Sequence, residues 1–173
     1  MEYIIRPMRK EEYPLLKDFL YMALYVPEGC QPKPRSILSI PELRLYYEDF
    51  GSSPDDISFA AESNGEVIGC VWTRIMNDFS HQDDNTPSLV VAVREGFRGQ
   101  GLGTRLIKYM LAHLAGQHRE AVSLSVQKSH PAQFLYTRLG FEEVGRAMGE
   151  TEEEIVMVLK LAGRDWNCGE EKA

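Results

Sequence analysis

Residues 88–114 read SLVVAVREGFRGQGLGTRLIKYMLAHL, with Gly99, Gly101 and Gly103 at alternate positions directly after Arg98. The stretch passes from an apolar, strand-like segment through a basic glycine-rich turn into a helical pattern. The first N–H groups of a helix lack internal partners and lie at the positive end of its dipole, which suits them to anions. Glycine has no Cβ to hold a ligand away from the backbone. The chemistry this spacing offers is the cradling of a pyrophosphate, with Arg98 adding a fixed positive charge and Arg105, one turn on, a second. The alternative is a tight turn whose glycines only reverse the chain. Two familiar phosphate motifs fail here. A P-loop counted from Gly96 finds its second glycine at Gly101 but has Leu102 where lysine is required. A dinucleotide fingerprint counted from Gly99 or Gly101 meets Thr104 or Leu106 in place of its third glycine. A nucleoside triphosphatase or a dehydrogenase is thereby disfavoured.

The elements that must position this turn follow from periodicity. YIIR (3–6) reads as a first strand. In 10–24, Leu15, Leu16, Phe19, Leu20, Ala23 and Leu24 mark one apolar helical face, with Pro14 near its start. The proline-rich segment 26–36 reads as a loop, and a second short helix is expected after Pro41, through ELRLYYEDF. Asn64-Gly65 between two strand-like runs in 57–75 predicts a hairpin. A polar loop, 76–87, precedes the strand SLVVAV. In the following helix Leu102, Leu106, Ile107, Met110, Leu111 and Leu114 form a packed face, with Gly116 as its expected C-cap. Then come a strand (121–126), a short helix (130–140) ending at Gly140, and two strands, FEEVGRA and 153–161. The order β-α-α-β-β-β-α-β-α-β-β predicts an α/β three-layer domain with a mixed sheet flanked by helices. Residues 1–162 are expected to form that single domain and 163–173 a polar tail, with Trp166 positioned to dock on the body.

A chain of 173 residues with 43% hydrophobic and 26% charged residues has the composition of a soluble globular domain. Its longest aliphatic run, Leu89 to Val93, is too short to span a membrane, and the N-terminus shows no secretory signal pattern. A net charge of −7 argues against nucleic-acid binding. Cys30, Cys70 and Cys168 lack metal-ligand spacing and read as free thiols in a reducing cytoplasm, with no metal site expected.

Two segments together resemble the GNAT superfamily of acyl-CoA-dependent N-acetyltransferases. VVAVREGFRGQGLGTRLI looks like that family's R/Q-x-x-G-x-G/A pyrophosphate loop after its central strand. LSVQKSHPAQFLYTRLGFEEVG (124–145) resembles its strand, short helix bearing Leu-Tyr, and Gly-Phe opening the next strand. The match covers roughly residues 57 to 161. It implies a mixed, mainly antiparallel seven-stranded sheet that splays between its fourth and fifth strands, with acyl-CoA wedged in the V. In that frame Val91, Ala92 and Val93 offer backbone groups to the pantetheine arm, freed by a bulge near Ala92 and Val93. Arg98, Gly99, Gln100, Gly101, Leu102, Gly103 and Thr104 hold the pyrophosphate. His130 stands where the family often has asparagine; it either contacts the cofactor or belongs to the N-cap region of the following helix, where Ser129 is an equally good cap.

The activity implied is acetyl transfer from acetyl-CoA, as acyl donor, to a primary amine by direct attack in a ternary complex. The amine belongs to a small molecule or a peptide. Tyr136, aligned with the family's helix tyrosine, is the candidate proton donor to the departing thiolate; its other reading is a core aromatic beside Phe134 and Leu135. No single general base stands out. His81, Asp83 and Asp84 are candidates from the 76–87 loop, and a desolvated site could instead depress the amine's own pKa. Acceptor recognition is expected from Tyr21 to Phe50 and from 76–87, where Tyr25, Glu28, Tyr46, Tyr47, Glu48 and Asp49 combine aromatics with carboxylates. A non-catalytic acyl-CoA-binding sensor of the same fold is the competing reading, and a homodimer through the C-terminal strands or tail is left open.

Overall fold

The computed structural model of the chain describes residues 1–149 and 152–166; the end of the tail, 167–173 with Cys168, lies outside the described residues. Seven strands form one sheet in the order β1-β2-β3-β4-β5-β7-β6. They are β1 (Ile4–Pro7), β2 (Ile57–Ser63), β3 (Glu66–Arg74), β4 (Ser88–Val93), β5 (Ala121–Gln127), β6 (Glu142–Met148) and β7 (Glu153–Lys160). Every neighbouring pair is antiparallel except β4 and β5, which are parallel and joined at a single register pair, Ser88↔Ser123. Beyond that pair the two strands diverge, so the sheet opens as a V. The helices are α1 (Leu15–Ala23), α2 (Pro41–Arg44), α3 (Leu102–Gly116) and α4 (Ala132–Leu139).

Each face of the sheet has its own core. Leu102, Leu106, Ile107, Met110, Leu111 and Leu114 of α3 pack with Leu89, Val93, Val122, Leu124 and Val126 on one face. Leu16, Phe19 and Leu20 of α1 pack with Ala60, Cys70, Trp72 and Ala92 on the other. The predicted helical face of 10–24 therefore exists, but the helix itself begins after Pro14, with a separate 3-10 turn at Lys10–Glu12. Leu106 is wholly buried at the centre of the first core. Replacing it with alanine is expected to cost about 2–5 kcal/mol, read as a lowered denaturant midpoint with an unchanged slope.

Two local expectations are corrected. Gly116 is the last residue of α3 rather than its cap; Gln117 is the cap, and His118 takes the left-handed turn at φ +61°. The helix expected from Pro41 through Phe50 is only α2, followed by irregular turns. The carbonyls that would continue it are claimed from outside. Trp72 Nε1 donates to the Tyr46 carbonyl (2.9 Å), and Arg74 donates to those of Leu45 (2.9 Å) and Glu48 (2.7 Å). Trp166 does dock against the first core, its Nε1 donating to the Leu161 carbonyl at 3.4 Å.

Candidate active site

The divergence of β4 from β5 leaves a cleft of about 800 Å³. Its walls are β4 on one side, β5 with α4 on the other, the 97–104 turn at one end, and the segments 22–26, 42–46 and 77–79 opposite. Hydrogen-bond parity shows which backbone groups face it. Arg94 N–H donates to the Ile68 carbonyl on the β3 side (2.9 Å), while the Pro87 carbonyl accepts from Ser123 on the β5 side (3.0 Å). Alternation along an antiparallel ladder then directs the backbone of Val91 and Val93 toward β5, and that of Ala92 toward Cys70 of β3. The expected bulge is absent: the β3–β4 register runs unbroken from Arg74↔Ser88 to Gly69↔Val93. The splay frees the backbone of Val91 and the N–H of Val93 instead, the Val93 carbonyl accepting from Arg98 Nε, and Ala92 lines the cleft with its backbone spent inside the sheet.

At the end of β4 the chain makes a 3-10 turn at Glu95–Phe97 and enters α3 through left-handed Gly99 (φ +73°) and Gly101 (φ +78°). Gly101 is the N-cap and supplies no side-chain cap. The first helical bond into its carbonyl comes from Arg105 N–H (3.1 Å), so the N–H groups of Leu102, Gly103 and Thr104 have no partner within the helix. A methyl group added at Gly99 or Gly101 would meet no heavy atom within 4 Å, so this helix end is open to a ligand. Gly99, Gly101, Leu102, Gly103 and Thr104 all line the cleft. Gln100 turns away, its amide on the Gly96 carbonyl at 3.4 Å.

The two arginines of the turn do different things from a simple pair of charges. Arg98 lines the cleft, but its Nε donates to the Val93 carbonyl and its Nη2 to the Met22 carbonyl, both at 2.9 Å. It braces the end of α1 against β4 while keeping its charge beside the turn. Arg105 points elsewhere, donating to the Tyr3 hydroxyl at 2.9 Å.

On the opposite wall His130 lies in the N-cap region of α4, the second of the two readings given to it. Its Nδ1 accepts from Ala132 N–H at 3.0 Å, capping α4, and its ring stacks on Tyr25 at 4.5 Å. Burial, with the Arg98 charge, lowers its pKa. The ring is therefore neutral at pH 7, and with Nδ1 accepting, its proton resides on Nε2, as a donor at the cleft wall. Ser129 is no cap; its hydroxyl donates to Glu152 at 2.5 Å. Tyr136 also lines the cleft, its ring edge-on to Phe141 at 5.8 Å, and its hydroxyl engages no group among the described residues. Burial pushes its phenol up to about 12.

The loop candidates for a base are not brought to the cleft. Asp84 is exposed, Asp83 accepts from Asn85 N–H (2.8 Å), and His81 lies with its Nδ1 buried and unpartnered among the described residues. Of the six residues expected at the acceptor side, Tyr25 and Tyr46 line the cleft; Glu28, Tyr47, Glu48 and Asp49 do not. The sequence reading missed Asp78 and Glu154, which do. Asp78 accepts from Tyr46 Oη and Ser88 Oγ (2.8 Å each) and from Ser80 Oγ (3.0 Å). Glu154 faces the same space from β7, opposite Gln127. The signal for it is alternation. In AVSLSVQ, Val122, Leu124 and Val126 enter the α3 core, so Ser123, Ser125 and Gln127 pave the other face, beside Glu154.

The family model described as the acetyltransferase (GNAT) family matches residues 22–141, and the chain belongs to that family. An N-alpha-acetyltransferase of Sulfurisphaera tokodaii is 36% identical over 118 residues, covering 62% of this chain and 70% of the relative. A mycothiol acetyltransferase of Thermomonospora curvata is 39% identical over 84 residues, 48% of this chain but only 27% of the relative. The chain thus spans about a quarter of the mycothiol acetyltransferases it matches. Among solved structures, the ribosomal-protein-S18-alanine N-acetyltransferase of Escherichia coli superposes with a TM-score of 0.67 at 19% identity, covering 96% of this chain and 98% of that one. An N-acetyltransferase of Staphylococcus aureus Mu50 gives 0.68 at 16%, covering 93% and 99%. These two likenesses bear on the fold. The mixed seven-stranded GNAT sheet expected from sequence is the one observed, and no helix among the described residues is long and apolar enough to cross a membrane.

Proposed function

We propose that the chain transfers an acetyl group from acetyl-CoA to a primary amine, both bound together in the β4–β5 cleft. The observation that carries this reading is the helix end at Gly101: open N–H groups, two left-handed glycines and an adjacent arginine charge, at the mouth of a cleft flanked by strand edges. In this reading the N–H groups of Gly99 to Thr104 hold the pyrophosphate, with Arg98 supporting them through charge and bracing. Backbone groups of Val91 pair with the pantetheine amides, Ala92 forms the floor, and His130 Nε2–H supplies a further donor. The N–H of Val93 faces the place where negative charge develops on the acyl oxygen. Tyr136, kept protonated by burial, gives its proton to the sulfur as it departs. Acetyl-CoA serves as the acyl donor that supplies the activated carbonyl.

The α-amine of a peptide is the acceptor class to test first, because the relative from S. tokodaii bears the name N-alpha-acetyltransferase. Calorimetric titration with acetyl-CoA is expected to give saturable one-to-one binding. Thiol release in a panel of peptide and small-molecule amines should then be faster than the amine-free rate. No binding to the wild-type protein would overturn the reading outright.

A further inference from the structure

Three carboxylates line the cleft among the described residues: Glu42, Asp78 and Glu154. Glu42 is exposed at the rim, and Asp78 is consumed by Tyr46, Ser80 and Ser88. Glu154 has no hydrogen-bond or ion-pair partner among the described residues. The carboxylates just before it in the chain are occupied elsewhere: Glu152 by Ser129, Glu153 by Lys128 and Arg146. The carboxylate of Glu154 is also held in position. A Cβ placed on Gly149 would lie 3.0 Å from Glu154 Cγ and 3.1 Å from its Oε1, and 2.9 Å from the Glu152 carbonyl. The end of the β6–β7 hairpin is therefore shaped around this side chain, and only glycine leaves it room.

We propose that Glu154 is the proton acceptor for the incoming amine, aimed into the acceptor end of the cleft by Gly149; this rests on the acetyltransferase reading above. The ammonium form of the acceptor gives one proton to the Glu154 carboxylate and becomes nucleophilic. Its nitrogen then bonds to the acyl carbon as the carbon–sulfur bond breaks. Tyr136 protonates the departing thiolate and recovers a proton from the new amide nitrogen, and Glu154 releases its own to solvent, so protons and charge balance. Burial, and secondarily the Glu152 charge, raise the Glu154 carboxyl to about 7, which places it in the range where a general base works near neutral pH. The groups around it are few. Tyr46, from the segment after α2, is a buried phenol raised well above the ordinary value and committed to Asp78. Gln127 of β5 and Ala147 of β6, its register partners, do not titrate. Arg98, His130 and Tyr136 belong to the cofactor-side wall.

The experiment compares the pH dependence of kcat for the wild type, Glu154→Gln, Glu154→Asp and Gly149→Ala, with acetyl-CoA affinity measured on each. Wild-type kcat is expected to rise with pH through about 7. Glu154→Gln should lose about ten- to thirtyfold at pH 7 and lose that limb, with acetyl-CoA affinity unchanged. Glu154→Asp should keep the limb at a reduced rate, and Gly149→Ala, which touches no substrate, should reduce the rate and shift the limb. Stability gives a readout independent of turnover. The folded carboxyl holds its proton up to about 7 while the unfolded one releases it near 4.5, so the wild type loses stability as pH rises between those values. Glu154→Gln escapes that loss and should melt higher than the wild type above pH 7, the gap closing toward pH 4.5. A Glu154→Gln protein that keeps both rate and limb, or that weakens acetyl-CoA binding instead, overturns the assignment. A wild type that binds acetyl-CoA and acetylates no amine fails the acetyltransferase reading itself, and this role with it.

Discussion

Gly101→Asp is expected to bind acetyl-CoA about fifty- to a hundredfold more weakly than Gly101→Asn. The two replacements are nearly equal in size, and both residue types tolerate the left-handed backbone better than other non-glycine residues. At φ +78° each carries similar strain, and in neither does the new Cβ meet a heavy atom within 4 Å. Stability therefore changes little between them, and the difference isolates charge. A carboxylate about 5 Å from a doubly charged pyrophosphate opposes binding by about 2–3 kcal/mol at an effective dielectric near 50. The penalty should shrink as salt is added, because the site is open to solvent. Titration calorimetry on the pair, at low and high ionic strength, reads both effects. Equal affinities would place the phosphates elsewhere than at the α3 N-terminus.

That turn was the most legible part of the chain, because its conformation is dictated locally. Left-handed glycines at a strand-to-helix junction leave few alternatives, and the apolar period of α3 fixes which way the helix must roll. The strands were legible for a similar reason. Asn64 (φ +51°) and Gly65 (φ +80°) make the hairpin turn that their identity predicts, and the alternating residues of β5 divide between two faces. Where tertiary partners decide, the sequence was silent. The helix after Pro41 stops at Arg44 because Trp72 and Arg74, from a strand far along the chain, take its carbonyls. Nothing in ELRLYYEDF records that.

The site divides along the same line. The open N–H groups at the glycine turn could be anticipated, since helix ends expose known groups, whereas the bulge expected in β4 is absent and the splay of the sheet decides which of its backbone groups are open. Directions of long side chains could not. Arg98 and Arg105 look equivalent in GFRGQGLGTRL, yet one braces the cleft and the other reaches Tyr3. Glu154 sits in the run EEEI, which by itself reads as a solvated charge cluster. Only the opening of the sheet beside Ser88↔Ser123 and the hairpin end at Gly149 turn one member of that run into a half-buried group facing the cleft.

Tyr136→Phe should lower kcat by about a hundredfold or more while leaving acetyl-CoA affinity within about twofold of the wild type. A proton donor to a leaving group contributes roughly 10²–10⁴ in rate, and a hundredfold corresponds to about 2.7 kcal/mol of transition-state stabilisation. The fold should survive, because the ring keeps its packing on Phe141 and the lost hydroxyl leaves no described partner unsatisfied. A wild-type melting temperature in the variant separates lost chemistry from lost structure. The pH profile supplies a second constraint. Burial pushes the phenol up to about 12, so it remains protonated across the range in which an ordinary tyrosine, near 10, would begin to ionise. As a donor it must be protonated, so wild-type kcat should show no alkaline fall from this group below about pH 11. A non-catalytic acyl-CoA sensor makes the opposite prediction. It has no leaving thiolate to protonate, so its only use for the hydroxyl is a contact, and Tyr136→Phe would then weaken binding with no turnover to lose.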